Sequence, residues 1–357
     1  MRSVLWMSVG CLQLLVVACA PKSPERAVED VLAGQQVGRA ELPGVIVTIA
    51  GDGGVEYQAV RGVAAFGAVG APDPAAHSRI GSATKLFTAT VVLQLVAEGA
   101  VSLDTQVSTL GLDVPGLEGI TVKHLLGMQS GLADIVDEGL IKEVADGDPA
   151  RVWTDRELAL RGTARPRVGS PGGAFSYSNT NYSVLALIIE KLTGQPFAVA
   201  VRRRIIEPQA LKGTRVPEPS ERALPTPALT GAYQGRDVST VHPSYAGAAG
   251  LITSTTSDLL QLAPLFATGA LVTEPSLRPD AQPTLDASAL GLPLRYSYGL
   301  MHMGQWRGHA GDLLGYSTAV FHHPPSGRTI VVLTNGTFGA GLGLARDIAG
   351  GLAPGSL

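Results

Sequence analysis

Cysteine is nearly absent from this chain of 357 residues. The two cysteines, Cys11 and Cys19, both lie at the N-terminus, and the rest of the chain has none. The body therefore has no disulfide framework, no cysteine nucleophile and no thiolate metal site. Lysine is also scarce, with six lysines against 21 arginines. Because arginine is the usual cation here, each lysine in a chemically useful position deserves separate consideration.

A strongly basic character is missing too, since the formal net charge is −3. This excludes a nucleic-acid-binding surface as a property of the whole molecule, and we expect no nucleic-acid partner. Hydrophobic residues make up 45% of the chain and charged residues 16%, which is typical of a globular protein. Glycine and proline are frequent but scattered, which excludes a collagen-like or linker-dominated chain.

The sequence has one long apolar run, at the N-terminus. It follows Arg2 and extends from Val4 to Ala18, about 15 residues, which is shorter than the ~20 that a membrane span needs. A positive start, an apolar stretch and small residues predict a signal peptide over 1–18. Its end, Val-Val-Ala-Cys19, resembles a bacterial lipobox. The resemblance implies lipid on Cys19 and anchoring in an envelope membrane, facing the periplasm or the exterior; the alternative is an ordinary signal peptide.

Strand and helix signals divide the body into two parts. Period-2 and β-branched runs lie near both chain ends, and helical periodicity dominates the middle. We therefore predict a tether and first helix over 19–40, an α/β domain from 41–85 and 240–357, and a mainly helical domain over 86–239. The predicted strands are 44–50, 55–60, 316–322 and 329–334, and the principal predicted helices are 82–98, 121–128, 182–192 and 341–352.

Ser82 and Lys85 form a Ser-x-x-Lys pair at the start of a predicted buried helix. Side chains three residues apart share one face of a helix. A serine hydroxyl becomes a good nucleophile when a base takes its proton, and a buried lysine can be that base. The helix start also offers the backbone N–H of Ser82 to a developing oxyanion. The alternative is a capping serine beside a solvated lysine.

Two further polar motifs follow along the chain. Tyr177 and Asn179 precede a strongly apolar helix; a tyrosine hydroxyl can relay protons, and an asparagine amide can bind both a lysine and a substrate amide. His309, in Gly-His-Ala-Gly311-Asp312, stands just before a predicted edge-like strand, where glycine allows a ligand to approach the backbone. A capping loop and a surface histidine are the alternatives.

Together these motifs resemble the serine β-lactamase-like family of class C β-lactamases, D-Ala-D-Ala carboxypeptidases and related esterases. The family pattern is Ser-x-x-Lys, then Tyr-x-Asn, then Lys-Thr-Gly or His-x-Gly. Flanking stretches are similar as well, including His-Leu-Leu-Gly-Met-Gln-Ser-Gly-Leu over 124–132. The resemblance covers roughly residues 40–350. It implies a β-lactamase/transpeptidase-like α/β fold with an antiparallel sheet, flanking helices and an inserted helical domain.

The resemblance also implies roles for individual residues. Ser82 would be the acylated nucleophile, and Lys85 and Tyr177 would share general base and acid work. Asn179 would position the substrate and Lys85, and His309 would lie on a strand facing the site. The backbone N–H groups of Ser82 and Asp312 would form the oxyanion hole. Gly311 and Trp306 are weaker candidates for the substrate pocket.

The sequence departs from the Lys-Thr-Gly form of the family's third motif. His309-Ala310-Gly311 lacks the lysine and the threonine hydroxyl that help to hold a substrate carboxylate, and Met128 replaces a common histidine. We therefore expect a serine hydrolase that acts on amides or esters, with D-Ala peptide carboxypeptidase or esterase activity favoured over strong β-lactamase activity. The substrate would be a small molecule or a peptidoglycan-type peptide. We expect no metal and no cofactor, and a catalytically silent binding protein on the same fold is the alternative.

Overall fold

The computed structural model of the chain describes residues 20–336 and 338–357. The predicted signal peptide and Cys19 lie outside these residues. Eight antiparallel strands form the main sheet, in the order β2-β1-β12-β11-β10-β9-β8-β7. Two short two-stranded sheets, β3 with β6 and β4 with β5, lie apart from it. The strands are β1 Gly44–Gly51, β2 Gly54–Gly62, β3 Ser78–Arg79, β4 Ala232–Tyr233, β5 Arg236–Asp237, β6 Thr253–Ser254, β7 Leu285–Asp286, β8 Arg295–Tyr296, β9 Met301–Met303, β10 Trp306–Leu313, β11 Tyr316–His323 and β12 Arg328–Thr334.

The sheet joins the two ends of the chain. Strand β1 pairs with β2 on one side and with β12 on the other, where Val45 lies opposite Thr334 and Ile49 opposite Ile330. Strands β1 and β12 are apolar and almost fully buried, which is typical of central strands covered on both faces. The prediction of an antiparallel sheet built from both chain ends is confirmed.

The described residues also form nine α-helices. They are α1 Pro24–Ala33, α2 Thr84–Ala97, α3 Val122–Leu126, α4 Glu138–Asp146, α5 Asp155–Thr163, α6 Thr180–Thr193, α7 Phe197–Val201, α8 Thr256–Thr268 and α9 Ala340–Leu352. Helices α8 and α9 pack against β11 and β12, and α1 packs against α9. Helices α2 and α6 are buried around most of their surface and contact each other, so they form the centre of the helical part.

Local sequence signals explain several helix ends. The Thr154 hydroxyl accepts a hydrogen bond from the N–H of Glu157, whose carboxylate in turn accepts one from the N–H of Thr154, so α5 begins with a capping box. Gly194 ends α6 in the left-handed conformation. Among the described residues, no single helix has both the length and the apolar character needed to cross a membrane.

Two parts of the sheet differ from the sequence prediction. The segment 308–312 was expected just before an edge-like strand, but it lies inside β10, where residues 307–313 pair with β11 and residues 306–308 pair with β9. The short strands β7, β8 and β9 were not predicted. They continue the sheet beyond β10, and strands of two or three residues are too short to show a period of two.

Candidate active site

Ser82 lies in a tight 3₁₀ turn, Gly81–Ala83, that leads directly into α2. Gly81 has a φ of +50°, and a Cβ at this position would lie 2.7 Å from the backbone nitrogen of Asp312. A side chain would therefore be both strained and obstructed. The predicted helix over 82–98 is correct for 84–97, but the nucleophile candidate itself lies in the preceding turn.

Gly311 brings strand β10 into direct contact with this turn. A Cβ at Gly311 would lie 1.9 Å from the carbonyl oxygen of Ile80 and 2.8 Å from the backbone nitrogen of Ser82. Only glycine allows such an approach. The structure thus places the backbone of 311–312 against the turn that carries Ser82, which is the arrangement the predicted pair of oxyanion donors, Ser82 N–H and Asp312 N–H, requires. Gly311 itself acts here through the backbone.

The Lys85 side chain is fully buried and has three polar neighbours. Its Nζ lies 2.9 Å from Ser82 Oγ, 2.7 Å from Asn179 Oδ1 and 3.0 Å from the carbonyl oxygen of Ala249. The last two groups can only accept hydrogen bonds. A neutral Lys85 has two N–H groups, which these two acceptors occupy, so its lone pair is left facing the hydroxyl of Ser82.

Burial lowers the pKa of Lys85 from its ordinary value to about 7. The negative charge of Asp134 opposes this decrease. Burial dominates because a buried ammonium ion loses its hydration, and no carboxylate contacts Nζ directly to replace it. A large fraction of Lys85 is consequently neutral near pH 7, which is the form that can accept a proton from Ser82.

Tyr177 lies beside the same pair. Its ring faces Lys85, whose Nζ is 4.9 Å from the ring centroid. Burial raises the pKa of Tyr177 well above its ordinary value, and a hydrogen bond with Ser82 opposes the rise only in part. The phenol is therefore protonated at neutral pH. Tyr177 can pass on or donate a proton, but it is not a phenolate base.

Asn179 is held by a residue that the sequence analysis missed. The carboxylate of Asp134 accepts hydrogen bonds from the backbone N–H of Asn179, at 2.9 Å, and from its side-chain amide, at 3.0 Å to each oxygen. Met128 and Ala133 belong to the same segment and also contact the Tyr177 loop: the carbonyl oxygen of Met128 accepts a hydrogen bond from Ser176 N–H. The segment 128–134 thus supports the loop that carries Tyr177 and Asn179.

His309 is completely buried in the structure. It shares a strand face with Gly311, on the side towards α2, and it does not line the cavity at Ser82. Its Nδ1 contacts the carbonyl oxygen of Ala310, and its Nε2 lies 3.3 Å from the hydroxyl of Tyr296. Burial and the nearby Lys85 lower the pKa of His309 to about 3. The side chain is neutral and lies behind the reacting groups instead of facing a substrate.

Trp306 lies away from the site, contrary to the pocket role considered for it. It is completely buried, its indole N–H donates a 2.9 Å hydrogen bond to Ser356 Oγ, and its ring stacks on His323. Six residues separate Trp306 from Asp312, which at about 3.4 Å per residue is about 20 Å along the strand. Proximity in sequence to the third motif therefore did not bring this side chain to the cavity.

A cavity of about 960 Å³ opens above Ser82. Its inner end is formed by Ser82, Tyr177, Asn179, Ala310 and Asp312, so four of the predicted site residues meet there. Its outer walls are largely apolar and come from α4, the β4–β5 hairpin and the start of α9; they include Val136, Ile141, Ala145, Tyr233, Phe338 and Leu342. This volume is within the range of small-molecule sites.

Most of the charged side chains that line the cavity are acidic. Asp312 Oδ1 accepts hydrogen bonds from Ser317 Oγ at 2.6 Å and from the N–H of Gly339 at 2.8 Å. Burial raises the pKa of Asp312, and these two donors oppose the rise. Two basic side chains on the wall, Lys142 and Arg236, both contact Asp146, at 2.6 and 3.4 Å. Arg307 pairs instead with Asp280 and does not line the cavity.

The described part of the chain contains no group of three or more histidine, cysteine, aspartate or glutamate side chains placed to hold a metal ion. The histidines at positions 302 and 322 have other partners. His302 Nε2 lies 2.9 Å from Ser297 Oγ, and His322 Nδ1 lies 3.0 Å from Thr329 Oγ1.

The eight-stranded sheet, with a Ser-x-x-Lys turn against strand β10, defines the β-lactamase/transpeptidase-like class of α/β folds. A family model described as Beta-lactamase matches residues 27–353. The chain therefore belongs to the beta-lactamase family.

Three similar proteins have related names. An esterase, EstB, of Burkholderia gladioli is 30% identical over 209 residues, which are 55% of this chain and 53% of that protein. A D-aminopeptidase of Cereibacter sphaeroides is 28% identical over 306 residues, 82% of this chain and 57% of that protein. A crystal structure of a D-stereospecific amidohydrolase from a Streptomyces species has a TM-score of 0.78 and 28% identity, and covers 93% of this chain and 98% of that one. The chain spans about half the length of the curated relatives it matches.

Proposed function

We propose that this protein is a serine hydrolase that cleaves amides or esters through an acyl-enzyme on Ser82. The observation that carries the proposal is the fully buried Lys85 amine, 2.9 Å from Ser82 Oγ, with its other two polar contacts made to acceptors. A silent binding protein has no need of a desolvated lysine that destabilises the fold. Covalent labelling of Ser82, discussed below, tests the proposal.

The proposed reaction begins with a proton transfer. Ser82 Oγ attacks the substrate carbonyl carbon while its proton moves to the lone pair of Lys85. The carbonyl oxygen becomes an oxyanion, which the N–H groups of Ser82 and Asp312 bind. The C–N or C–O bond then breaks, and Tyr177 donates its proton to the leaving group and is reprotonated from Lys85. Water attacks the acyl-enzyme by the reverse proton path and releases the acid.

For the substrate, we propose an amide or ester whose group near Asp312 is neutral or cationic. Asp312 places a carboxyl group at the inner end of the cavity, and His309 is neutral and enclosed. A substrate carboxylate at this point would meet a carboxyl group, and the two basic side chains that the described residues place on the cavity wall, Lys142 and Arg236, both pair with Asp146. This favours esterase, amidase or D-aminopeptidase chemistry, the activities for which the similar proteins are named, over D-Ala carboxypeptidase or strong β-lactamase activity.

The expected selectivity is higher kcat/KM for p-nitrophenyl butyrate and for D-alanine p-nitroanilide than for nitrocefin. A hydrogen bond to a charged group contributes about 1.5–3 kcal/mol. The lack of a hydrogen-bond partner for the nitrocefin carboxylate should therefore lower kcat/KM roughly 10- to 150-fold. Asp312→Asn keeps the backbone N–H and removes the charge. Asp312→Asn should reduce the difference in kcat/KM between the ester and nitrocefin, because nitrocefin turnover should rise relative to ester turnover. Ala310→Thr should change this difference in the same direction.

Arg236 provides the control for this prediction. It lies on the cavity wall and shares Asp146 with Lys142, so it is one of the two basic side chains on this wall that could supply a cation to a substrate carboxylate. Nitrocefin turnover comparable to that of the best ester, lost in Arg236→Gln, would show that Arg236 fills this role. The selectivity proposal would then be wrong.

We also propose that the protein is lipid-anchored at Cys19 in a bacterial envelope membrane. The support is the apolar run ending in Val-Val-Ala-Cys19. Growth with labelled palmitate should mark the wild-type protein and leave Cys19→Ser unmarked. A mature N-terminus at another residue would contradict lipidation while leaving secretion intact.

A further inference from the structure

We propose that Asp134 is a positioning residue that fixes the rotation of the Asn179 amide and, through it, aims the lone pair of Lys85 at Ser82. This inference rests on the proposed function of the site. Asp134 does not contact Ser82 and does not itself line the cavity, so its effect on the reaction passes through Asn179 and through its charge.

The first step concerns the amide of Asn179. The two ends of an asparagine amide have nearly the same shape, and the hydrogen-bond partners decide which end points where. Both carboxylate oxygens of Asp134 lie 3.0 Å from Asn179 Nδ2. The opposite rotation would place the amide oxygen against a carboxylate, so Asp134 selects the rotation that turns Oδ1 towards Lys85, 2.7 Å away.

The second step concerns the lone pair of Lys85. With Asn179 Oδ1 and the Ala249 carbonyl oxygen as acceptors, both N–H groups of the neutral amine are occupied and the lone pair faces Ser82. Rotation of the Asn179 amide would offer N–H to Lys85 in place of an acceptor. The lone pair would then have a donor other than Ser82, and the base would be misdirected.

Further hydrogen bonds hold the Asp134 carboxylate in place. Its Oδ1 also accepts hydrogen bonds from the backbone N–H groups of Asn179 and Val136, at 2.9 and 3.0 Å. Arg165 donates to the carbonyl oxygen of Asp134 and pairs with the carboxylate of Asp137, so it leaves the Asp134 carboxylate without a cation in contact.

The charge of Asp134 acts on Lys85 as well. The groups that face Lys85 are the rings of Tyr177 and Tyr182, the neutral His309, and Asp134 behind Asn179. Asp312 acts on the neighbouring Tyr177. Burial lowers the pKa of Lys85 and Asp134 raises it, so removal of the Asp134 charge should lower the pKa further.

The test compares Asp134→Asn and Asp134→Ala with the wild type. Asparagine can keep the three bonds that Oδ1 accepts, whereas alanine removes all of them. We expect acylation by a fluorophosphonate to slow about 10-fold in Asp134→Asn and about 100-fold in Asp134→Ala, because small misplacements of a catalytic group are costly. The acidic limb of the pH–rate profile should have its midpoint at lower pH in Asp134→Asn, because the amine of Lys85 stays neutral down to a lower pH in this variant.

A second measurement does not depend on activity. The chain has six lysines, so ¹³Cε-lysine NMR can follow Lys85 directly, with Lys85→Met for assignment. Its pKa should fall in Asp134→Asn. The control is Asp113→Asn, which makes the same change in net charge at an exposed side chain paired only with Arg156, and which should leave the Lys85 titration unchanged.

The outcomes separate this proposal from the proposed function. An unlabelled wild-type Ser82 would contradict the hydrolase assignment, whereas the NMR titration would still test Asp134. The positioning role would be overturned if the wild type is labelled and Asp134→Asn is stable but slow, with the same acidic limb of the pH–rate profile and the same Lys85 titration as the wild type. Equal rates in Asp134→Asn and the wild type would overturn it as well.

Discussion

Replacing Ser82 by alanine should abolish covalent labelling by a fluorophosphonate or a fluorescent penicillin and lower ester turnover by at least about 10⁴-fold, the scale of loss found when a catalytic serine is removed. Stability should hardly change. The variant loses the 2.9 Å contact with Lys85, whose Nζ retains Asn179 and Ala249 as partners. A hydrogen bond of this kind contributes about 0.5–1.5 kcal/mol to stability.

Ser108→Ala is a suitable control, because Ser108 is exposed in a short turn on the surface. It should label and turn over substrate as the wild type does. Peptide mass spectrometry completes the experiment by locating the adduct. An adduct on any residue other than Ser82 would refute the assignment, and a wild type that neither labels nor hydrolyses would favour the silent binding protein.

Replacing Lys85 by arginine should remove acylation almost completely. Arginine retains the positive charge but does not deprotonate in proteins, so it has no lone pair for the proton of Ser82. In the wild type, kcat/KM should rise with pH through a midpoint near 7, because burial sets the pKa of Lys85 to about 7 and the neutral form is active. Wild-type acylation by Lys85→Arg would transfer the base role to Tyr177.

The same pKa predicts how stability depends on pH. Lysine in an unfolded chain has a pKa of about 10.4, so between about pH 7 and pH 10 the unfolded state binds more protons than the folded state. The free energy of unfolding therefore gains a contribution that rises with pH over this interval. Lys85→Met should be more stable than the wild type at pH 7, and the difference should shrink towards pH 10. Denaturant titrations at several pH values measure this difference in the free energy of unfolding. A difference independent of pH would contradict a buried Lys85 with a lowered pKa.

The sequence was informative where a short motif is itself the structural unit. Ser82 and Lys85 are three residues apart, in the 3₁₀ turn and in the first turn of α2 that follows it, and Tyr177 and Asn179 share one loop, so local geometry already brings each pair together. The structure then brings the two pairs together: Ser82, Tyr177 and Asn179 line one cavity, and the buried Lys85 contacts Ser82 and Asn179.

Other parts of the site depend on packing between distant segments. His309 Nε2 lies 3.3 Å from the hydroxyl of Tyr296 on β8, a two-residue strand with no recognisable pattern. Asp134 gains its place from contacts with Asn179, 45 residues later. The stretch that ends at Leu132 was recognised as similar to the family, but an aspartate two residues beyond it looks like any polar loop residue until the partner is known.

The order of strands in the sheet has a consequence for synthesis. Strand β1 lies between β2 and β12, and the turn of Ser82 lies against β10, so the last hundred residues complete both the core and the site. Chains are made from the N-terminus, and contacts between such distant segments close late. A ribosome-bound chain that already contains Ser82 and Lys85 has neither the N–H of Asp312 nor the packing that desolvates the lysine. The groups proposed to carry out the hydrolysis therefore come together only after strand β10 has been made.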